Sequence, residues 1–435
     1  MLCRLNFAPQ INVGRAADSM TSHRFYRILP YLACLAACAT VNLIYFPPGP
    51  TFPDEQRYLA SAIKLAASGE FWVSADRAWE MPGTALFFAP FVRLFGPEAA
   101  IMPIRFAQAV LLATQCGLIA VIARQVTRND MAAFVATCIA ALYPFFLFYQ
   151  GLLLSETLFN TLLLASLAAL YAWRARGAGL NGLLVLVSAL FAAATLTKAT
   201  LTVLPPLLIA VAAWTAGAAW RRAITILLAA ACLHAAFLSP WWIRNAAVLG
   251  AFVPFTTSSA QNLYLGNNPN NTTGGIDWAN DVEPEVAKRL LAMPDEMERQ
   301  RAFSQRATDY IKAHPLNALQ LAAKKFMRLW NIVPNAAEFR GIYAAISALT
   351  FGPILVLALI GLARLWRQWR LLAPILIVIG YFTFVHTVTI ASLRYRLPLD
   401  PLLIVLASEP LAALLAYVWP RALGIKQATD AARPA

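Results

Sequence analysis

Long apolar runs are the feature that most constrains the fold of this chain. A helix that crosses the hydrocarbon core of a bilayer, which is about 30 Å thick, needs about 20 mostly apolar residues. Charged residues make up only 13% of the chain, which is about half the fraction usual in soluble domains. We therefore expect an all-α polytopic membrane protein with about ten transmembrane helices. The ten runs lie at 28–46, 98–123, 131–149, 152–173, 180–197, 199–219, 223–243, 342–363, 371–391 and 397–418.

Lysine and arginine are distributed unevenly among the segments that connect these runs. If the N-terminus lies inside, the cytoplasmic segments hold sixteen basic and three acidic residues, which account for nearly all of the net charge of +14. Cytoplasmic loops of multi-pass proteins carry such an excess. The basic balance therefore indicates membrane orientation and gives no reason to expect a nucleic-acid partner.

Two segments outside the apolar runs are long enough to carry function. They are the first outer loop at 48–97 and a larger outer-face segment at 244–340. We accordingly divide the chain into three parts. The N-terminal transmembrane module at 1–243 includes the first outer loop; the outer-face segment at 244–340 follows it, and a C-terminal transmembrane module occupies 341–435.

Four stretches of these segments have recognisable local patterns. The run 82–96 is too short to span and carries Arg93, so we expect an interfacial or re-entrant helix. The tract 261–269 is rich in turn-forming residues, whereas the charged sequence at 283–312 has a helical pattern. At 315–330 an apolar stripe is flanked by basic residues, which is typical of a helix lying on the outer leaflet.

All six cysteines lie in the N-terminal tail or in apolar runs, so no outer-face disulfide or CxxC metal site is predicted. The sequence from Leu35 to Cys38 resembles a lipoprotein cleavage box. Because the apolar run continues past Cys38 to Phe46, we expect a retained first span.

Two carboxylates and a guanidinium follow the first span directly, in the sequence from Pro53 to Tyr58. Asp54 or Glu55 could take a proton from a hydroxyl group, and Arg57 could hold a phosphate. The pair could also hold a divalent metal, although two adjacent carboxylates without histidine are a weak metal signature. The structural alternative is that Asp54 is the N-cap of an amphipathic helix.

Further polar residues border the spans on the predicted outer side. Glu156 and Lys198 lie close to hydrocarbon, where an unpaired charge is costly. Each has a structural alternative, since an acid suits a first helical turn and a basic side chain can snorkel to the interface. Cations near acids on the outer side nevertheless indicate an anionic ligand. The full set is Asp54, Glu55, Arg57, Glu156, Lys198, Arg244, Asn245, Arg394 and Arg396.

Several short motifs follow one another along the chain. They are Asp54-Glu55-x-Arg57-Tyr58, Pro82-Gly83, Ser155-Glu156-Thr157, Leu196-Thr197-Lys198, Pro240-Trp241-x-x-Arg244-Asn245, the tract Asn262 to Pro269, and Arg394-Tyr395-Arg396-Leu397-Pro398. In this order they resemble the GT-C glycosyltransferases, in the branch that holds bacterial aminoarabinose transferases, protein mannosyltransferases and rhizobial lipopolysaccharide-core transferases. One departure is Met81 before Pro82, where related enzymes often carry lysine or proline.

The resemblance implies transfer of a sugar from a polyprenyl-phosphate donor to a lipid, glycan or protein acceptor, on the periplasmic face of the bacterial inner membrane. Asp54 would be the catalytic carboxylate. The candidate site then comprises the carboxylates Asp54, Glu55 and Glu156, the phosphate-binding residues Arg57, Lys198, Arg244, Arg394 and Arg396, and the sugar-binding residues Tyr58, Asn267 and Asn268.

Elementary chemistry agrees with this assignment. A glycosyl phosphate has an anionic leaving group, so it needs cations more than a general acid, while the attacking hydroxyl needs a carboxylate. A single displacement without an enzyme nucleophile would invert the anomeric carbon. We therefore expect an inverting hexosyl or pentosyl transferase.

A transporter or flippase of a lipid-linked or small substrate is the rival interpretation. Its characteristic residue would be Glu409, next to Pro410 near the middle of the last span. An acid there is a functional candidate by default, and it could be protonated in place, paired with a cation or placed at a helix break. Transporters also show paired broken helices in two related halves, and the sequence has no such symmetry.

Overall fold

A computed structural model describes residues 28–72, 76–275, 277, 281–335 and 341–418. Within these residues the regular structure is helical and contains no β-strand, which confirms the all-α prediction. The two termini, which hold Cys3 and part of the predicted cytoplasmic charge, lie outside the described residues.

The first described helix occupies the run Ile28–Tyr45 and ends in a π-helical turn. In chain order, the α-helices that follow are Pro53–Ser68, Gly83–Phe95, Ile101–Thr127, Asp130–Ala141, Pro144–Gln150, Glu156–Ala175, Gly182–Thr197, Leu204–Thr215, Trp220–Leu249, Ser258–Gly266, Pro284–Leu291, Glu296–Ala313, Pro315–Trp330, Ile342–Leu365, Trp369–Val388, Leu393–Arg396 and Asp400–Val418.

Among the described residues, six helical runs are long and apolar enough to cross a membrane, or seven if a pair bent by 52° counts as one span. This number is smaller than the ten predicted. One reason is that Gly182–Thr197 and Leu204–Thr215 are only 16 and 12 residues long. Lys198 lies between these two helices, and Pro205 and Pro206 lie in the first turn of the second, so the two helices are short.

The longest run, numbered 342–388, folds back on itself. Lys325 donates a hydrogen bond to the Val388 carbonyl at 2.9 Å, and the Ser347 hydroxyl donates to the Ile332 carbonyl. Lys325 and Ile332 are only seven positions apart in sequence, but Ser347 and Val388 would lie about 60 Å apart in one straight helix. The chain therefore reverses at the 3₁₀ turn Trp366–Gln368 and forms two antiparallel helices.

The helix Pro53–Ser68, here called the first-loop helix, carries the acidic pair. Gly69 ends it in a left-handed conformation with φ of 71°. At its start, the backbone N–H groups of Thr51 and Phe52 donate to Glu55 Oε2 at 2.8 and 2.9 Å. Capping therefore falls to Glu55 and not to Asp54, which leaves the Asp54 side chain available for other contacts.

The outer-face segment is mostly helical. The predicted helices at 283–312 and 315–330 are present. The tract predicted as turn-rich is instead helical as far as Gly266, because the carbonyls there are capped by the asparagines that follow. The span predicted to end at residue 243 continues as a helix to Leu249.

The first span packs into the main apolar core. Cys34 and Cys38 are fully buried there with Cys116 of the helix Ile101–Thr127.

Candidate active site

An open cavity of about 510 Å³ lies where the first outer loop meets the outer-face segment and the last spans. The first-loop helix supplies one wall, and the helix Ser258–Gly266 supplies another. The charged side chains that line it are Asp54, Arg57, Glu80, Lys198 and Arg394.

Six charged side chains form one continuous series of ion pairs, here called the ion-pair chain. Its members alternate in charge. At one end, Arg57 Nη2 lies 2.7 Å from Asp54 Oδ1 and Arg57 Nε lies 3.1 Å from Glu80 Oε1. The chain runs in the order Glu80, Arg57, Asp54, Arg394, Glu156 and Lys198.

Arg394 is the central link of the ion-pair chain. Its Nη1 donates to Asp54 Oδ2, and its Nε donates to Glu156 Oε1 at 2.5 Å. Lys198 Nζ donates to the same Glu156 oxygen at 2.9 Å. Arg394 and Lys198 thus join four segments that are distant in sequence, since their partners Asp54 and Glu156 lie on two further segments.

The environment of Asp54 keeps it ionised. Burial raises the pKa of this carboxyl, but the attraction of Arg394 and Arg57 outweighs burial and holds the pKa below its usual value. Asp54 is therefore an anionic hydrogen-bond acceptor at neutral pH, open to the cavity.

Lys198 caps the end of the helix Gly182–Thr197, where it is brought close to Glu156. Burial lowers the pKa of its ammonium, and the attraction of Glu156 opposes that shift. Glu156 is itself only 1% exposed and lies beneath the cavity lining. A buried charge of this kind is retained because it is paired.

Close backbone approach positions the cavity walls. A Cβ atom on Gly83 would lie 2.7 Å from the carbonyl oxygen of Leu196, so the helix Gly83–Phe95 sits directly against the segment that presents Lys198. A Cβ on Gly266 would similarly collide with the carbonyl of Thr389. Packing at the site therefore requires glycine at Gly83, in the motif Pro82-Gly83, and at Gly266, in the tract Asn262 to Pro269.

Of the residues predicted from sequence, the structure brings six together: Asp54, Arg57, Tyr58, Lys198 and Arg394 line the cavity, and Glu156 pairs with two of them. Glu55, Arg244, Arg396, Asn267 and Asn268 do not line it.

Glu55 faces away from the cavity. Besides the two cap contacts, its Oε1 accepts a hydrogen bond from the Leu153 backbone at 2.9 Å, and the side chain is fully buried. These contacts fix the start of the first-loop helix against the Glu156 segment. They support a structural role for Glu55, so we leave it out of the proposed catalytic group.

Two of the predicted phosphate-binding arginines are also held elsewhere. Arg244 donates to the carbonyl of Phe71 and to Asn245 Oδ1, the latter at 3.0 Å. Arg396 is fully buried, pairs with Asp400 at 3.1 Å, and donates to the Asn331 carbonyl at 2.7 Å. Both arginines join segments of the fold.

The two asparagines predicted to bind sugar instead cap a helix. Asn268 Nδ2 donates to the Tyr264 carbonyl at 3.0 Å, and Asn267 Nδ2 donates to the Val388 carbonyl at 2.9 Å. Lys325 completes this junction, since its ammonium donates to Asn267 Oδ1 and to backbone carbonyls of both segments. Sequence analysis placed Lys325 on the flank of an interfacial helix, yet it is fully buried.

Glu80 is the site residue that sequence analysis missed. It lies in the loop before Pro82-Gly83, next to Trp79 and Met81. An acid between two large apolar residues, immediately before a recognised motif, was the available signal. Its side chain is 9% exposed and ends the ion-pair chain.

No group of three or more His, Cys, Asp or Glu residues suited to a metal ion occurs in the part of the chain that the structure describes. The carboxylates of the ion-pair chain contact arginine and lysine.

Glu409, the residue that favours a transporter, has a cation partner. Arg364 Nε donates to Glu409 Oε2 at 2.7 Å, and its Nη2 donates to Oε1 at 3.1 Å. Of the three explanations for an acid in the last span, the structure supports pairing.

The comparisons with known proteins bear on the fold. No family model matches the chain, and neither does any curated protein. Among solved structures, the chain is similar to the oligosaccharyltransferase AglB from Archaeoglobus fulgidus, in complex with an inhibitory peptide and a dolichol-phosphate. The TM-score is 0.57 and the sequence identity is 13%, and the match covers 95% of this chain and 53% of that one. The apo form of the same enzyme gives a TM-score of 0.57 over 93% of this chain.

A weaker likeness is to ArnT from Cupriavidus metallidurans bound to undecaprenyl phosphate, with a TM-score of 0.44 and 16% identity over 92% of this chain and 81% of that one. The chain spans about half the length of the oligosaccharyltransferase. At 13% identity the likeness shows the fold alone: the chain shares the fold of the oligosaccharyltransferase AglB, which agrees at the level of fold with the family resemblance of its motifs.

Proposed function

We propose that this multi-pass membrane protein is a glycosyltransferase that moves a sugar from a polyprenyl-phosphate donor to a lipid, glycan or protein acceptor. The observation that carries the proposal is the cavity, which is lined by the carboxylate Asp54 together with the cations Arg57, Lys198 and Arg394. The AglB structure contains a dolichol-phosphate and a peptide, which supports a lipid-linked donor on this fold.

Asp54 is the proposed acceptor of the attacking hydroxyl's proton. Its carboxylate is open to the cavity and ionised, which a hydrogen-bond acceptor for a hydroxyl requires. Because Arg57 and Arg394 hold its pKa low, it is a weak base while both contact it. A donor phosphate that attracted one arginine would increase the basicity of Asp54 when the donor is bound.

The cations stabilise the leaving group. Arg57, Arg394 and Lys198 supply guanidinium and ammonium donors for a phosphate whose charge grows as the glycosidic bond breaks. No acid is needed to protonate that group. With Asp54 acting as base and no carboxylate acting as nucleophile, transfer of a hexose or pentose proceeds with inversion.

The cavity faces the outside of a bacterial inner membrane in this proposal. The helix Glu156–Ala175 has Glu156 at the cavity, and near its other end Arg174 donates to the Arg370 carbonyl at 2.6 Å. Arg370 follows the turn Trp366–Gln368, in a segment rich in arginine. By the positive-inside rule this turn is cytoplasmic, which favours an outward-facing cavity.

Orientation has a direct test. Cysteines introduced at Asn270 and Gln368 should react with an impermeant label from opposite sides of the membrane, with Asn270 outside. Labelling of both from one side would contradict the proposed orientation and, with it, a periplasmic site.

The function is tested by mass spectrometry of membrane glycolipids and glycans from cells with and without the protein. Loss of one sugar that wild-type protein restores, and that Asp54→Asn protein does not, is the expected result. It would identify the donor sugar and the acceptor class together. An unchanged set of glycans, with a small solute or lipid carrier redistributed across the membrane instead, would favour the transporter.

A further inference from the structure

Glu80 occupies an unusual place in the cavity wall. Its Oε1 accepts a hydrogen bond from Arg57 Nε at 3.1 Å, whereas its Oε2 is buried and has no hydrogen-bond partner among the described residues. The side chain is nine-tenths buried and lines the cavity. An unsatisfied carboxylate oxygen in such a position is costly unless it acquires a proton or a donor.

The loop that carries Glu80 is held in place from behind. Glu296, at the start of the helix Glu296–Ala313, accepts a hydrogen bond from the Ala78 backbone at 3.0 Å. The Thr257 backbone N–H donates to the Ala78 carbonyl at 2.9 Å. The backbone N–H and the carbonyl of Ala78, two residues before Glu80, are therefore both hydrogen-bonded. This attachment keeps Glu80 in the cavity wall when the cavity is filled.

While the cavity is empty and Glu80 is ionised, the charge of the ion-pair chain is balanced, because three carboxylates then alternate with three cations. Asp54 and Glu156 each contact two cations. Glu80 contacts only Arg57. A bound phosphate adds negative charge beside the nearly buried Glu80, and neutralising the carboxylate with the fewest cations restores the balance at the lowest cost.

We propose that Glu80 takes up a proton from solvent when the phosphate of the donor binds, so that donor binding and proton uptake are coupled. This inference rests on the proposed function. The phosphate attracts Arg57, the O–H bond forms at Glu80 Oε2, and water in the open cavity delivers the proton. The proton returns to solvent when the phosphate-bearing product leaves, so nothing is oxidised or consumed.

The groups that face Glu80 define the pH window. They are Arg57, Asp54 and Tyr58 from the first-loop helix and Arg394 from Leu393–Arg396. Burial raises the pKa of Glu80 to about 7, although Arg57 opposes the shift. Removal of Arg57 by a phosphate raises that pKa further, so uptake is small below about pH 6 and approaches one proton near pH 8.

Isothermal titration calorimetry measures the coupling. Purified protein in nanodiscs is titrated with undecaprenyl methyl phosphate, a phosphodiester whose own charge does not change in this range. Each titration is run at pH 6 and pH 8 in two buffers of different protonation enthalpy. Wild-type protein should take up nearly one proton per site at pH 8 and little at pH 6, and its affinity should fall by up to about tenfold between them.

Glu80→Gln protein should bind the same probe without proton uptake and with an affinity that does not depend on pH. The matched control is Glu70→Gln, because Glu70 is an exposed acid of the same outer loop that pairs only loosely with Lys64. That variant should keep the wild-type uptake. A second measurement needs no variant: an infrared difference spectrum of wild-type protein at pH 8 should gain a protonated-carboxyl band when the probe binds.

The outcomes separate this inference from the proposed function. Binding of the probe without proton uptake, uptake that persists in Glu80→Gln, or no new carboxyl band would each overturn the role of Glu80 and leave the transferase standing. Failure of wild-type protein to bind the phosphodiester at either pH would count against the transferase itself and would remove the basis of the coupling as well.

Discussion

Two sets of charged side chains in this protein differ in how they are satisfied. Anchor residues, namely Glu55, Arg244 and Lys325, bond largely to backbone groups. Members of the ion-pair chain bond to one another's side chains and border an open cavity. A charge held by backbone fixes the fold, whereas a charge held by a neighbouring side chain can be redirected to a ligand. Function is therefore expected in the second set and stability in the first.

The largest effect should come from Asp54→Asn. The change keeps the shape of the side chain but removes the charge that accepts the hydroxyl proton, so transfer should fall by about 10² or more. The measurement is an in vitro transfer assay on purified protein whose thermal unfolding matches the wild type. Asp130→Asn, at an exposed ion pair, is the control. Near-normal transfer by Asp54→Asn would end the distinction between the two sets.

Lys198→Ala should have the next largest effect. It removes the ammonium at the end of the ion-pair chain, so the Kd for undecaprenyl phosphate should rise by about tenfold, the size expected for one charged hydrogen bond. Lys64→Ala, at an exposed position on the first-loop helix, serves as the matched control. Equal Kd values for wild type and Lys198→Ala would place the phosphate elsewhere.

Lys325→Met tests the anchor set. It leaves backbone carbonyls of two segments without their donor, which should cost about 1–3 kcal/mol of stability. Thermal unfolding in detergent measures the loss, and Lys324→Met, at the exposed neighbour, should lose less. The folded fraction should bind undecaprenyl phosphate with the wild-type Kd. A raised Kd at unchanged stability would move Lys325 into the functional set.

Glu409→Gln should have the smallest effect. Its partner Arg364 is exposed, and the pair lies far along the last span from the cavity. Transfer should therefore stay close to wild type in the same assay. Abolished transfer by a well-folded variant would show that the site, or the function, has been misplaced.

The sequence predicted the types of residue at the site better than the directions of their side chains. Asp54 and Glu55 are adjacent, and successive side chains of a helix point about 100° apart. One therefore reaches the cavity while the other caps the helix. Arg394 and Arg396 divide in the same way. Which member of each pair faces the ligand depends on how the helix is rotated, and tertiary packing decides that.

The fold class followed from hydrophobicity alone, but the number of spans did not. Hydropathy counts apolar residues, whereas Lys198 marks the end of Gly182–Thr197 and the two prolines lie in the first turn of Leu204–Thr215. Glu80 was hidden for a different reason: its importance comes from Arg57, 23 positions away, and no local pattern records such a contact.

The length of the helix Glu156–Ala175 has a consequence for how a lipid donor is handled. Its 20 residues rise about 30 Å, which equals the thickness of the hydrocarbon layer. If the arginine-rich turn lies at one membrane surface, as the proposed orientation requires, Glu156 at the other end of the helix lies level with the opposite headgroups. The phosphate of the proposed polyprenyl donor would lie at that same depth, so it could reach Arg394 and Lys198, the partners of Glu156, while the lipid tail stays in the bilayer. No work would then be spent on lifting the donor into water.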